Sequence, residues 1–169
     1  MKPKDFVEKY YPFALKTQEE KGIDARFTLA QTAVESGWGE HAPGNNFFGI
    51  KAPKSAAVYE KQLLKTKEVF KDKNQGNRFP KVISMIRRAD GKYLYTVKDW
   101  FRKYTTPDEC FSDHADFFSK YNRYAEALKY KSDPNRFAEE IAKAGYATDP
   151  NYAKTLKSVI KTIEKNIPV

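Results

Sequence analysis

Several resources that a chain of 169 residues can draw on are scarce here. Cys110 is the only cysteine, so no internal disulfide can form and stability has to come from packing. No stretch approaches the roughly 18 apolar residues of a membrane span, and none is expected. The amino-terminal MKPKDFVEKYYPFALK lacks the uninterrupted apolar core of a secretory signal, so export calls for a leader outside this chain or for another route. Histidine occurs only at His41 and His114, and neither forms a metal-ligand spacing with Cys110; we expect no metal and no cofactor. Ser36 has no G-x-S-x-G context, which argues against acyl-transfer chemistry. Eight glycines and nine prolines are too few for a disordered or collagen-like chain.

What is present points to a globular protein with one core, read as a single domain over residues 1–169. The formal net charge of +9 implies an anionic partner or surroundings: nucleic acid, an acidic membrane surface or an anionic cell-wall polymer. The basic residues are spread out, with modest density in 61–73 and at Lys81, Arg87 and Arg88, so there is no compact arginine-rich arm or recognition helix. Eleven tyrosines against two tryptophans supply amphipathic rings able to pack and to contact sugars or bases.

Helical spacing of Phe6, Tyr10, Phe13 and Ala14 predicts a first helix from about Pro3 to Gly22. Asp24 then offers an N-cap for a second helix with Phe27, Ala30 and Val34 on one face and Gly37 as its stop, which places Glu35 in the last turn. From about Ala56 to Tyr104 short alternating runs predict a β-rich lobe, with Asp90-Gly91 as a two-residue hairpin turn between VISMIRR and KYLYTV. Thr106-Pro107-Asp108-Glu109 reads as a capping box that restarts the helices. A short helix is expected from Tyr124 to Tyr130, and Asp133-Pro134 and Asp149-Pro150 each cap an amphipathic segment, with Gly145 between them. The plan is α+β, mainly α.

Chemistry concentrates in AQTAVESGWGEHAPGNNFFGIKA. A carboxylate in the last turn of a helix sits at the negative end of the dipole, and apolar neighbours such as Val34 and Trp38 would keep water away; both effects favour its protonated form. A general acid that protonates a leaving glycosidic oxygen needs that property. Gly37 and Gly39 would admit close approach to the backbone, and Asn45, Asn46, Phe47 and Phe48 offer amides and rings suited to sugars.

AQTAVESGWGE followed by GNNFFGIKA resembles the signature of the glucosaminidases of glycoside hydrolase family 73, which include autolysins, phage lysins and flagellar peptidoglycan hydrolases. The resemblance extends nearly end to end. It implies a lysozyme-like fold, with a helical lobe and a small β-lobe insertion at about 56–104, and the essential acid at Glu35. KTKEV is similar to the family's Thr-rich strand with its second functional glutamate, nominating Glu68. KYTTPDECFSDHADFF resembles a Tyr-led helix start with a Ser-Asp pair and nominates Asp113, although the dipole alone also favours an acid there. GYATDPNYAKTL nominates Tyr146 and Tyr152. Trp38, Asn46, Phe48, Tyr124 and Tyr146 are the candidates for substrate contact, and Asp113 and Tyr152 for catalytic or structural support. The stretch between KTKEV and KYTTPDE is longer than in compact family members, which loosens the choice of partner for Glu35; Glu68 is preferred, with Asp113 and Tyr152 in contention.

The reaction so implied is hydrolysis of the β-1,4 bond between N-acetylglucosamine and N-acetylmuramic acid in the bacterial cell wall, extracellular or periplasmic. Water would be activated by Glu68, with inversion, or replaced in the first step by the substrate's own acetamido group. The expected partners are peptidoglycan glycan strands, with anionic cell-wall polymers as further candidates, and a monomer without an obligate protein partner is expected. The competing readings are a lytic transglycosylase or muramidase of the same fold, and a non-catalytic cationic module for cell-wall polymer or nucleic acid.

Overall fold

Asp24 accepts a hydrogen bond from the Arg26 amide at 2.8 Å and thereby opens the helix around which the helical part of the chain is built. The structure, a computed structural model, describes every residue from Met1 to Val169. It divides into two compact units: Met1–Phe48 with Tyr104–Val169, and Gly49–Lys103. The second unit begins ahead of the expected Ala56 and ends where the β-rich pattern does.

In the first unit, α1 (Pro3–Lys21) starts with proline in its first turn and ends where the Gly22 amide reaches the Gln18 carbonyl at 2.8 Å, as expected. Helix α2 (Ala25–Ser36) follows at once. A single apolar face was expected for it, yet Ala25, Phe27–Ala33 and Ser36 are all buried, while Val34 is only half-buried. The reason is tertiary: α2 is packed against α1, α5 (Pro134–Lys143) and α6 (Tyr152–Asn166), so most of its circumference needs to be small or apolar. Arg26 clasps the Asp24 carboxylate with two nitrogens, at 2.9 and 2.8 Å, and reaches Glu164 of α6 at 3.1 Å, joining the two helix ends.

Helix α3 (Pro107–Lys120) lies along α1. Thr106 is its N-cap residue, but its side chain makes no capping bond, and Glu109 accepts from the Thr105 amide at 2.9 Å instead. The expected capping box is therefore replaced by a one-sided bond displaced by one residue. Helix α4 (Ala125–Leu128) is the predicted short helix. Asp133 caps α5 through the Arg136 amide, as expected. Asp149 does not cap α6 directly: it accepts from the Asn151 amide at 2.8 Å, forming a turn, and the helix begins at Tyr152. Phe27, Phe118 and Phe137 interlock edge to face in the core, with ring centroids 4.6–6.2 Å apart.

In the second unit, β1 (Lys61–Phe70), β2 (Lys81–Arg87) and β3 (Tyr93–Arg102) form an antiparallel sheet in the order β1-β3-β2. The register sets Glu68 opposite Tyr95 and Lys65 opposite Lys98. Strands β2 and β3 are the predicted hairpin, but the loop differs. The Gly91 amide donates to the Arg88 carbonyl at 3.0 Å, and the Arg88 amide to the Lys92 carbonyl at 2.7 Å. Only Gly91 within the loop has positive φ, +82°. This is a turn closed by a left-handed glycine, in place of the two-residue turn with both residues at positive φ.

Candidate functional site

Glu35 is the next-to-last residue of α2, and its side chain is exposed. The expected drying by Val34 and Trp38 is not seen. Trp38 turns onto Phe6, edge to face with centroids 5.3 Å apart, and Glu35 stays open to solvent. The turn after Glu35 is unusual: Gly37, Trp38 and Gly39 all have positive φ, at +59°, +57° and +83°. Buried Ser36 holds it, donating its hydroxyl to the Thr32 carbonyl at 2.6 Å and accepting from the Gly39 amide at 2.9 Å. A Cβ at Gly39 would lie 3.3 Å from the Tyr10 ring, so that glycine answers to packing as well as to φ.

One line of hydrogen bonds leads to Glu35. The Tyr152 hydroxyl, carried at the start of α6, donates to Glu35 Oε1 at 3.2 Å. Gln31 Nε2 donates to that hydroxyl at 3.2 Å. Gln31 Oε1 lies 2.9 Å from His114 Nε2, and because the amide nitrogen already serves Tyr152, the imidazole nitrogen is the donor. Donation thus runs one way, from His114 through Gln31 and Tyr152 to Glu35. The Tyr146 hydroxyl is 3.3 Å from the same imidazole nitrogen, and its ring stacks on Tyr152 at 5.5 Å.

Burial keeps this line neutral. It holds the His114 imidazole down to about 3, so the ring carries no charge at neutral pH. Phe48 stacks on that ring with centroids 3.8 Å apart. Burial first, and then the neighbouring carboxylate of Glu35, push the Tyr152 hydroxyl above its ordinary value even though Gln31 opposes the rise. Tyr146 is raised in the same way, by burial and then by Tyr152 and Glu35.

The other nominated residues separate clearly. Asp113 is half-buried and accepts from the Tyr104 hydroxyl at 2.5 Å, which ties α3 to the segment before it. Asn46 and Tyr124 are buried, so both belong to the packing around the site and not to its surface; Phe47 likewise sits in the core against Tyr10 and Phe111. Asn45 uses its amide on the carbonyls of Tyr104 and Thr105 at 3.1 and 3.2 Å. Phe48 and Tyr146 keep part of their rings exposed.

In the sheet unit, Glu68 is half-buried on β1 and accepts from Lys51 Nζ at 2.7 Å. The same ammonium is 3.1 Å from Asp99 Oδ2. Burial disfavours the Lys51 charge, but the two carboxylates outweigh it and hold its pKa above the ordinary value. Glu68 is therefore one member of a three-member ionic group with Lys51 and Asp99.

Gln31, His114 and Lys51 went unrecognised in the sequence. Gln31 had a usable signal, because it stands four residues before Glu35 and a helix places that pair on one face. His114 and Lys51 had none, since each meets its partner only through tertiary packing.

A buried central helix ending in an exposed glutamate, with a small antiparallel sheet inserted between helices, is the α+β plan of a lysozyme-like glycoside hydrolase. Residues 11–165 match the glucosaminidase family described as mannosyl-glycoprotein endo-beta-N-acetylglucosaminidase, and the chain belongs to that family. The glycoside hydrolase domain of FlgJ from Salmonella typhimurium superimposes with a TM-score of 0.70 at 29% identity, over 97% of this chain and 99% of that one. Among curated proteins, peptidoglycan hydrolase FlgJ of Pseudomonas aeruginosa is 29% identical over 95% of this chain and 36% of its own length. FlgJ of Vibrio cholerae is 33% identical over 95% of this chain and 43% of its own length. The chain thus spans less than half the length of these curated relatives.

Proposed function

We propose that this chain hydrolyses the β-1,4 bond between N-acetylglucosamine and N-acetylmuramic acid in peptidoglycan, with Glu35 as general acid. The observation that carries this reading is the hydrogen bond from Tyr152 to Glu35 Oε1. A donor on Oε1 makes that oxygen the carbonyl-like one, so the acid proton resides on Oε2, free to pass to the departing glycosidic oxygen. The His114–Gln31–Tyr152 line fixes the carboxyl orientation without placing a full charge beside it.

Family membership supports the bond class, and the named relatives support peptidoglycan as the polymer. Glu68, which shares the Lys51 ammonium with Asp99, is assigned as the base that activates water. Phe48, Tyr146 and Trp38 are assigned to sugar contact through their exposed ring edges. The chain acts as a monomer at the cell wall.

The decisive experiment is mass spectrometry of digested peptidoglycan. Fragments with reducing N-acetylglucosamine ends are expected, and anhydro-muramic ends would identify a lytic transglycosylase instead. Glu35→Gln is expected to lower turnover by about 10²–10⁴-fold while glycan binding persists. A protein that binds glycan equally well but shows no turnover in either form would be a binding module. Proton NMR of the fresh product separates the roles of water: an α-anomer fits Glu68 as base, and a β-anomer assigns the first step to the acetamido group.

A further inference from the structure

The charge of this protein is segregated. Of the 31 Lys and Arg and 22 Asp and Glu in the chain, Gly49–Lys103 holds 15 and 5, a net of +10, which leaves 16 and 17 for the helical unit, a net of −1. The whole positive excess lies on the small sheet unit.

Register shows where on the sheet it lies. Residues directly opposite one another on paired strands share a face. Lys65 pairs with Lys98, and Lys98 with Lys81, so three ammonium groups form one row across β1, β3 and β2. Lys61 and Lys67 fall on the same face of β1, and Lys61 lies 4.8 Å from the centroid of the Trp100 ring on β3. None of the strand residues on this face is acidic, and none of these five lysines forms an ion pair. Glu68 and Asp99 both point to the opposite face. Like charges directly opposite are destabilising. Lysines on edge strands guard against unwanted strand pairing, which would account for Lys65 and Lys81, but Lys98 is on the central strand and has no edge to guard.

The same face carries a second feature. Val69 pairs with Leu94, and Leu94 with Ile86, giving an aliphatic row four residues along β1 from the lysine row, with the Lys67–Thr96 pair between them on this face. Val69 is 43% and Ile86 60% exposed, and Leu63, next to Lys65 on the face, is 41% exposed. Cations alternating with exposed aliphatic side chains suit a surface that is anionic outside and apolar just beneath. A soluble polyanion would use the lysines and leave the aliphatic row in water. A single-stranded nucleic acid would also call for a run of open stacking rings, whereas this face has only Trp100, already shared with Lys61.

We propose that the lysine-bearing face of the three-stranded sheet is a docking surface for an anionic phospholipid bilayer. The sheet lies flat, with Lys65, Lys81 and Lys98 among the headgroup phosphates and Val69, Leu94 and Ile86 against the acyl boundary. This surface is on the sheet face opposite Glu68, so it is separate from the proposed hydrolytic chemistry and does not depend on it.

The test is co-sedimentation of the whole chain with vesicles of equimolar phosphatidylglycerol and phosphatidylcholine, and with vesicles of phosphatidylcholine alone. Binding to the mixed vesicles only is expected, weakening as salt rises. The triple variant Lys65→Gln, Lys81→Gln, Lys98→Gln should lose on the order of a hundredfold in affinity, and Val69→Ser with Ile86→Ser about tenfold. Circular dichroism and peptidoglycan digestion, followed in parallel, show that each variant is folded and score the hydrolase reading separately. Absence of vesicle binding by the parent chain overturns the proposal. So does a result in which only the lysine variant matters and soluble teichoic acid or nucleic acid is bound as tightly as vesicles, which would make the partner a soluble polyanion.

Discussion

The Tyr152 hydroxyl donates to Glu35 Oε1 at 3.2 Å, and it is itself held by the Gln31 amide. Replacing Tyr152 with Phe keeps the ring and its stacking on Tyr146 but removes the donor. We expect kcat to fall by about 10- to 100-fold with KM nearly unchanged, the size of one hydrogen bond to a charged or reacting carboxyl. A rise in KM with unchanged kcat in steady-state kinetics would assign Tyr152 to substrate binding instead.

Gln31 acts one step further back. Gln31→Leu removes one hydrogen-bond partner from each of buried His114 and Tyr152, leaving Tyr146 to the first and Glu35 to the second, so unfolding free energy should fall by about 1–3 kcal/mol, as read from urea denaturation. Its effect on kcat should be smaller than that of Tyr152→Phe. A double-mutant cycle between the two should show coupling of about 0.5–3 kcal/mol, and strict additivity would remove Gln31 from the line.

His114 makes stability depend on pH. Its folded-state pKa is depressed from 6.5 to about 3, so between those values the unfolded chain binds a proton that the folded chain does not. Both states are neutral above 6.5, and no penalty applies there. As pH falls below 6.5 this group should remove about 1.4 kcal/mol of stability per pH unit until the folded value is reached. His114→Asn, followed by thermal denaturation across that window, should flatten the acid side of the profile.

Lys51 bridges Glu68 and Asp99, and about half of its side chain is exposed. Lys51→Met should therefore change stability by no more than about 1 kcal/mol. If Glu68 works as a carboxylate base, kcat/KM should nonetheless fall by about tenfold, and Lys51→Arg should restore most of it. Unchanged kinetics in Lys51→Met would leave the ionic group a purely structural one.

Cys110 is buried, and burial pushes its thiol up to about 12. An aromatic disulfide reagent at about pH 8 should not label the native chain within the time that it labels the urea-unfolded one. Rapid labelling in the native state would mean that α3 opens readily.

Local chemistry and periodicity already specify much of this protein. Pro3, Gly22, Asp24, Gly37 and Asp133 mark helix ends by effects confined to a few bonds, and these ends lie where the sequence places them. Glu35 was legible for the same reason, as a helix-end carboxylate inside a recognisable segment. Effects that depend on what packs nearby were not legible. The second helix is buried nearly all round because three other helices pack on it, and Trp38 packs on Phe6 while Glu35 is exposed. Turn details also depended on register: Asp90-Gly91 makes a turn closed by one left-handed glycine, and Asp149 makes a turn instead of a cap. The sequence by itself determined the family and several helix ends, and it singled out Glu35 as the candidate acid. Only the tertiary structure decided that Tyr152, Gln31 and His114, up to 121 residues apart, form one line of hydrogen bonds behind Glu35. Such bonds are made across packed helices, and no local pattern records which faces will meet.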